Sequence, residues 1–417
     1  MQIAGAILPG QSGCRDLRIE GDRIAWIGQS VASPSCVVIP TVADAHVHLD
    51  KGFTVQRAGH SDDGLLGAIA LMTADKPNWT RSDLLSRMTA GLQSAYLSGT
   101  SVLRTHIDWD GPTEPLAWSL IGDLANVWRD KLILQRASLI GIDHVFDAGP
   151  GIAETVARTG GVLGFFVLGN DDLDAKLAQA FSLAVRHDLA LDFHVDETLD
   201  DRADGLGRIA GLTIQHGWQG RVICGHACSL SCQPAAQRQR ILELCAEAGI
   251  HLISLPTTNH YLQDRNPGRT PIRRGLLPIH ESRAAGVPVS IASDNCADPF
   301  YPFGTFDLLD AFRLALVTGH LEVTKALEAI TDAPRRAMGM PPATISVGAI
   351  ADLIILEAPD LHSAFGNSGT TRHVVRKGTL VTIDRSQALY SERGTPRSGA
   401  DAYSPARRLG QRPDGAI

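Results

Sequence analysis

The feature that most constrains this chain is a regular alternation of short apolar segments with helix-like stretches along its middle. Eight apolar segments each end on a polar or small residue: 37–48, 101–108, 132–141, 161–168, 189–194, 221–226, 250–254 and 287–294. Amphipathic stretches lie between them, and one of these, residues 171–187, has its apolar side chains on one face. Strand–helix alternation predicts a parallel sheet, and eight such units fit a closed (β/α)8 TIM barrel.

A doubly wound open sheet is the rival arrangement, but it would carry a glycine-rich phosphate loop after its first strand, and the sequence has none there. Both chain ends contain short strand patterns, with turn signals at Gly21-Asp22 and Lys377-Gly378. We therefore expect an α/β fold in which residues 41–344 form the barrel. Residues 1–40 together with 345–385 should form a small β-sandwich domain, and residues 386–417 a loosely ordered tail.

Composition excludes several classes of protein. The net charge of −7 gives no support for a nucleic-acid partner, which usually requires a basic patch. No apolar run approaches the roughly 18 residues that a membrane helix needs, and residues 1–14 do not resemble a secretion signal. We expect a cytoplasmic homo-oligomer that acts on a small molecule, without a nucleic-acid or membrane partner.

The cysteines do not indicate a structural metal site. Their number, seven, argues against a disulfide framework. Cys224, Cys228 and Cys232 are spaced by four, but a structural zinc site usually adds a second, distant pair. The small zinc deaminases combine H-x-E with a later P-C-x-x-C. His320-Leu-Glu322 is followed by no cysteine, so this class is excluded.

Residues of the kind that bind metals fall at the carboxyl ends of the predicted strands, where active sites of such barrels gather. His46 and His48 close the first strand on one side of it, His194 ends the fifth and Asp294 the eighth. Imidazole and carboxylate suit zinc or ferrous iron, and four ligands leave a position open for water. The third and fourth strands contain no lysine to bridge a second ion. The sequence therefore predicts one divalent metal ion, Zn or Fe.

Two further polar residues supply candidate proton-transfer groups. Glu197 follows His194 by three residues, so its carboxylate can reach a water at the metal without being a ligand. His226, at the end of the sixth strand, is either a further ligand or a second acid/base. We favour the second role because four ligands already satisfy the metal. The predicted catalytic residues are Glu197, His226 and Asp294.

Segments around these positions resemble the amidohydrolase superfamily, and several resemble its cytosine deaminase branch. The first-strand motif is Pro40 to Thr54, which contains His46-Val-His48-Leu-Asp-Lys51. The others are residues 104–108, 194–197, 259–265 with 273–275, 293–305 and, for the return to the β domain, 348–356. The resemblance runs in chain order from Met1 to about residue 383.

This resemblance implies that His46, His48, His194 and Asp294 bind iron or zinc. It also implies that Glu197, assisted by His226, moves protons during removal of an amino group from a pyrimidine or related ring. Second-rank candidates for substrate contacts are Arg104, His106, Asn259, Gln263, Asn295 and Asp298. For each of these, a structural hydrogen bond is an equal alternative.

Two positions depart from the cytosine deaminase pattern. A substrate-reading glutamine is missing from residues 138–143, and Asn295 stands where a second aspartate would follow the metal-binding one. The related N-isopropylammelide hydrolases share Ser-Asp-Asn and His-x-Asp-Lys, but have aspartate where this chain keeps Glu197. Loss of an amide that pairs with a ring leaves polar partners unmatched, so we expect a changed specificity.

The sequence thus predicts a metal-dependent hydrolytic deaminase that acts on a small aminated N-heterocycle, a cytosine-like pyrimidine or related ring, and releases ammonia. The alternative is a cyclic amide or N-alkylamino-triazine-type amidohydrolase with the same mononuclear metal site. A non-catalytic metal-dependent binding protein is the least favoured alternative, because Glu197 would have no purpose there.

Overall fold

Two separate sheets organise the chain, and the computed structural model describes residues 1–381. The strands before the barrel are β1 (Gln2–Ile7), β2 (Cys14–Glu20), β3 (Arg23–Gln29) and β4 (Cys36–Pro40). The barrel strands are β5 (Val42–Val47), β6 (Thr100–Asp108), β7 (Ile133–Gly141), β8 (Leu163–Val167), β9 (Leu191–Val195), β10 (Val222–His226), β11 (His251–Ser254) and β12 (Val289–Ile291). After the barrel come β13 (Leu353–Leu356), β14 (Arg372–Arg376) and β15 (Thr379–Val381).

The α-helices within residues 1–381 connect and surround these strands. They are α1 (Val55–Ala58), α2 (Gly64–Asp75), α3 (Arg81–Ser98), α4 (Leu116–Trp128), α5 (Gly149–Thr159), α6 (Leu173–His187), α7 (Gly205–Gln215), α8 (Ala235–Glu247), α9 (Pro256–Leu262), α10 (Ile279–Ala284), α11 (Leu308–Thr318), α12 (Val323–Ala326), α13 (Asp332–Ala337) and α14 (Leu361–Gly366). None of the helices in this range is both long enough and apolar enough to cross a membrane.

The predicted (β/α)8 barrel is confirmed. Strands β5 to β12 pair in chain order as one eight-stranded parallel sheet, and each overlaps one of the eight apolar segments. The two edges meet where Val47 pairs with Asp294 in a parallel bridge. There the Asp294 N–H donates to His46 O at 2.9 Å. The barrel is closed by this seam, which sets Asp294 beside the first strand.

The chain ends form a separate seven-stranded sheet, as the sequence predicted. Its strand order is β15-β14-β13-β4-β1-β2-β3, and the two ends join where β13 pairs antiparallel with β4. This sheet has an apolar core of its own, which includes Leu17, Ile24, Val38 and Leu353. The predicted domain boundaries stay predictions. Residues 382–385 and the predicted tail, 386–417, lie outside the described residues.

Helix α6 illustrates how the sequence pattern becomes packing. Its predicted apolar face is buried except for Val185, which is 43% exposed. The Phe181 ring stacks on Phe193 of β9 with the centroids 6.2 Å apart. The helix ends at Asp188, which adopts a left-handed conformation (φ 55°) and donates its N–H back to the last turn. The face that repeats every three to four residues is therefore the one that covers the barrel.

Crowding inside the barrel makes Gly164 of β8 a sensitive position. A Cβ there would clash with Ser138 O and lie 3.0 Å from Asp192 O, and both of these are backbone atoms. We expect Gly164→Ala to lower the free energy of unfolding by about 1–3 kcal/mol, as overpacking does. Gly211→Ala is the matched control, since a Cβ at this helical position meets nothing within 4 Å. Denaturant unfolding of both variants tests this, and equal stability would contradict it.

Candidate metal centre and active site

The four predicted ligands converge at the carboxyl end of the barrel. His46 Nε2 and His48 Nε2 lie 3.5 Å and 3.3 Å from Asp294 Oδ1. His194 Nε2 lies 3.2 Å from His48 Nε2. All four side chains are buried. Strand β5 and the residue after it supply two imidazoles, β9 supplies the third, and the barrel seam brings in the carboxylate.

The chemistry of this donor set fits a divalent cation. Burial lowers the pKa of His46, His48 and His194 well below the ordinary value, so each imidazole is neutral, the form that binds metals. Within residues 1–381, His46 Nε2 and both carboxylate oxygens of Asp294 have no hydrogen-bond partner that meets geometric criteria. The observed spacings of 3.2–3.5 Å are short enough for these atoms to surround one ion at ligand distances of about 2.1 Å.

Glu197 and His226 form a second polar group beside these ligands. Glu197 Oε1 lies 3.3 Å from His226 Nδ1, and Asn259 Nδ2 lies 3.3 Å from the first atom and 3.0 Å from the second. The Gln263 side chain donates to Glu197 O at 3.2 Å. Burial, with the nearby Asp294 carboxylate, raises the pKa of Glu197 well above its ordinary range. Such a carboxyl can carry a proton near neutral pH.

Backbone strain concentrates at these strand ends. Asp196, His226 and Asp294 all adopt positive φ angles, of 52°, 70° and 61°. A left-handed conformation is uncommon for residues with a side chain, and it persists where surrounding contacts fix it. Asp196 accepts hydrogen bonds from Gly205 N (3.2 Å) and Leu206 N (3.0 Å), which hold the turn that presents Glu197.

Arg104 and His106 lie on β6 and contact the buried Asp192 carboxylate. Arg104 Nη1 donates to Asp192 Oδ2 at 2.9 Å, and His106 Nε2 lies 3.2 Å from Asp192 Oδ1. The His106 ring packs against His46 with the centroids 4.1 Å apart. Neither residue lines the cavity above the predicted ligands in the described part of the chain. The ion pair with Asp192 supports a structural role for Arg104. His106 stands close to the predicted ligands, because one of its ring nitrogens lies within 4.8 Å of a ring nitrogen of each of the three predicted histidine ligands.

The other second-rank candidates are divided between structure and cavity. Asn259 and Gln263 hold Glu197, as described above. Asn295 lines the cavity, and its amide donates to Asp298 Oδ2 at 2.7 Å. Asp298 is buried and accepts the backbone N–H of Phe300 at 2.9 Å, so it organises the loop after β12.

A cavity of about 360 Å³ opens above the ligands. Its polar lining includes His48, Lys51, Asp108, Glu197, His226 and Asn295, and its aromatic walls are Trp109, Phe166 and Phe300. Helix α2 covers it with Leu65, Ile69 and Met72. The sequence analysis did not predict that this helix forms a wall of the cavity.

A larger cavity of about 810 Å³ lies elsewhere and contains none of the four predicted ligands among its described lining residues. Arg104 and Arg136 line it, but their guanidinium groups are already hydrogen-bonded, Arg104 to Asp192 and Arg136 to Gly160 O at 3.0 Å. The candidate active site is therefore the smaller cavity.

Comparison with known proteins shows the family of this chain. The model of the amidohydrolase family matches residues 144–382. A pterin deaminase from Rhizobium rhizogenes is 38% identical over 365 residues, which are 86% of this chain and 83% of that protein. An N-isopropylammelide isopropyl amidohydrolase from Pseudomonas sp. is 23% identical over 416 residues, 92% and 97% of the two chains.

The structure of 5-methylcytosine deaminase from Klebsiella pneumoniae with 5-fluorocytosine superimposes with a TM-score of 0.80 at 24% identity. The match covers 92% of this chain and 97% of that one. This chain therefore belongs to the amidohydrolase family, and the resemblance noted in its sequence is confirmed. It is a hydrolase that acts on carbon–nitrogen bonds.

Loss of one imidazole should release the metal. We expect His48→Asn to weaken binding of zinc or ferrous iron by more than the about 10- to 100-fold that loss of an outer partner costs. Elemental analysis after dialysis, with metal titration of the chelator-treated protein, measures this. His60→Asn is the control, because that side chain is 52% exposed and remote from the predicted ligand set. Equal metal content in the two variants would contradict the assignment.

Proposed function

We propose that this chain is a metal-dependent deaminase that removes the amino group of a small aminated N-heterocycle, with pterins as the favoured class. The observation that carries the proposal is the Glu197–His226 pair beside four convergent ligand side chains, at the floor of one cavity. A cavity of about 360 Å³ has room for two fused rings, and pockets of about 300–1,000 Å³ are usual for small molecules. The pterin deaminase at 38% identity supports the same substrate class.

We assign His46, His48, His194 and Asp294 as the ligands of one divalent ion, zinc or iron. Such an ion, when bound, supplies positive charge that lowers the pKa of a water from about 15.7 toward about 7. The four side chains would hold that ion next to the Glu197–His226 pair. This assignment explains why a carboxylate and three neutral imidazoles are buried together.

Glu197 then moves the proton. Asn259 holds its Oε1, which leaves Oε2 to take a proton from the attacking water and give it to a ring nitrogen. A C–O bond forms at the carbon that bears the amino group, and His226 stabilises the tetrahedral species. The remaining hydroxyl proton passes through Asp294 to the amino group. The C–N bond breaks, ammonia leaves, and the ring keeps a carbonyl.

Hydrolysis of an N-alkylamino ring or of a cyclic amide is the second candidate, and the same residues would carry it. Its support is the match to the N-isopropylammelide enzyme over 97% of that protein's length. Glu197 argues against it, because those hydrolases have aspartate at this position. A cytoplasmic location and a homo-oligomeric state stay predictions from the sequence.

Glu197→Gln should remove the proton shuttle and keep the metal. The amide can still meet Asn259, so we expect a folded, metal-loaded protein whose kcat is lower by at least about 10²-fold. Steady-state ammonia release and metal content measure the two effects. Glu243→Gln, an exposed change on α8, is the control. Undiminished turnover of Glu197→Gln would end the mechanism.

A substrate panel tests the reaction itself. Metal-loaded protein should release ammonia from pterins with the highest kcat/KM, compared with cytosine, isocytosine, creatinine and aminotriazines. Release of an alkylamine from an N-alkylaminotriazine, with no ammonia from any ring, would favour the second candidate instead.

A further inference from the structure

Four charged side chains line the cavity without a part in the mechanism above: Lys51, Lys76, Asp108 and Asp110. The first three are largely buried. Lys51 Nζ lies 3.0 Å from Asp108 Oδ1, and Lys76 Nζ lies 3.3 Å from Asp108 Oδ2. Their side chains are only 7% (Lys51), 16% (Asp108) and 19% (Lys76) exposed. The Lys51 ammonium also stands 4.9 Å from the centre of the Phe300 ring, which forms one wall.

Removing ions from water is unfavourable, and a buried ion pair is weak evidence of a contribution to stability. This pair lies at the ends of β5 and β6, on the same cavity as His48 and Glu197. Asp108 is held in place from behind, because its N–H donates to Asp50 Oδ2 at 2.9 Å. Although burial opposes ionisation, the two ammonium groups keep the pKa of Asp108 below its ordinary value. The negatively charged Asp108 carboxylate is therefore held in a fixed position at the wall of the cavity.

The other polar side chains of the lining, Thr73, Asp110 and His144, are exposed rather than buried in the cavity. The end of β7 contributes Leu139, Ile140 and Gly141 to the cavity. This is the segment that lacks the substrate-reading glutamine of the cytosine deaminase pattern. The Asn295 amide N–H₂ is engaged by Asp298. Lys51 and Asp108, in contrast, set a donor and an acceptor side by side, as a carboxamide does.

We propose that Asp108 and Lys51 read the lactam edge of the substrate, that is, a ring N–H next to a ring carbonyl. The carboxylate accepts the N–H and the ammonium donates to the carbonyl oxygen, which makes two charge-assisted hydrogen bonds. This inference rests on the proposed deaminase function and narrows its substrates to aminated rings that carry a lactam, such as the 2-amino-4-oxo pattern of pterins and isocytosine. The Lys51–Asp108 ion pair would then make the two hydrogen bonds to the ring that a glutamine side chain makes in the cytosine deaminase pattern.

The test compares two substrates that differ only at this edge, pterin and 2-amino-4-methoxypteridine. In Asp108→Asn, we expect kcat/KM for pterin to fall about 10- to 100-fold, the loss of a hydrogen bond to a charged group. The value for the methoxy compound should stay within about threefold, because it has neither the ring N–H nor the carbonyl. Asp188→Asn, the same change on a side chain that is 85% exposed and is not among the described lining residues of the cavity, should alter neither value.

If the role of Asp108 is purely structural, Asp108→Asn lowers kcat/KM equally for both substrates, and that result overturns the inference. Thermal unfolding and metal content verify each variant, and Lys51→Met carries the same comparison if Asp108→Asn does not fold. If the wild-type protein deaminates neither compound, the proposed function fails on its own. The affinities of the two compounds, measured by titration, then decide the inference, and equal affinities would refute it.

Discussion

The hydrogen bond from the Asp294 N–H to His46 O, at 2.9 Å, is the contact on which the candidate site depends. It joins the last barrel strand to the first, and only a closed barrel brings these edges together. The same closure points the carboxyl ends of all eight strands toward one face. Side chains that are distant in sequence therefore meet within a few ångströms, and His194 enters from the opposite part of the sheet.

Several features of the site are unfavourable for the stability of the fold. Neutral imidazoles are buried with a carboxylate whose pKa burial raises, and three strand-end residues adopt left-handed backbone. These features cost free energy in the protein without a bound ion. They occur together at the place where a bound divalent cation would offset that cost. Behind the ligands, Asp192 joins Arg104 and His106 in a buried polar layer that fixes one face of His46. The predicted ligand His46 is thus supported by side chains that do not line the cavity.

Much of this arrangement could be predicted from the sequence, because it follows from periodicity. The apolar segments separated by amphipathic helices predicted all eight barrel strands. Because active sites gather at the carboxyl ends of such strands, the sequence also indicated His46, His194 and Asp294. Partners across the barrel could not be predicted in this way. Period-two alternation predicts which side of its strand Arg104 faces. It does not predict that Arg104 contacts Asp192, because that contact depends on how the strands are staggered in the barrel. The cover formed by α2 was missed because that helix is apolar on several sides, so its sequence does not single out the face that meets the cavity.

X-ray absorption spectroscopy of the purified, metal-loaded protein tests the central claim most directly. The account predicts one divalent ion whose nearest neighbours are nitrogen and oxygen, with the outer scattering of three imidazole rings. A sulfur shell would place the ion at cysteines such as Cys224 or Cys228 instead. That spectrum, or a protein that retains no ion after metal loading, would contradict the account.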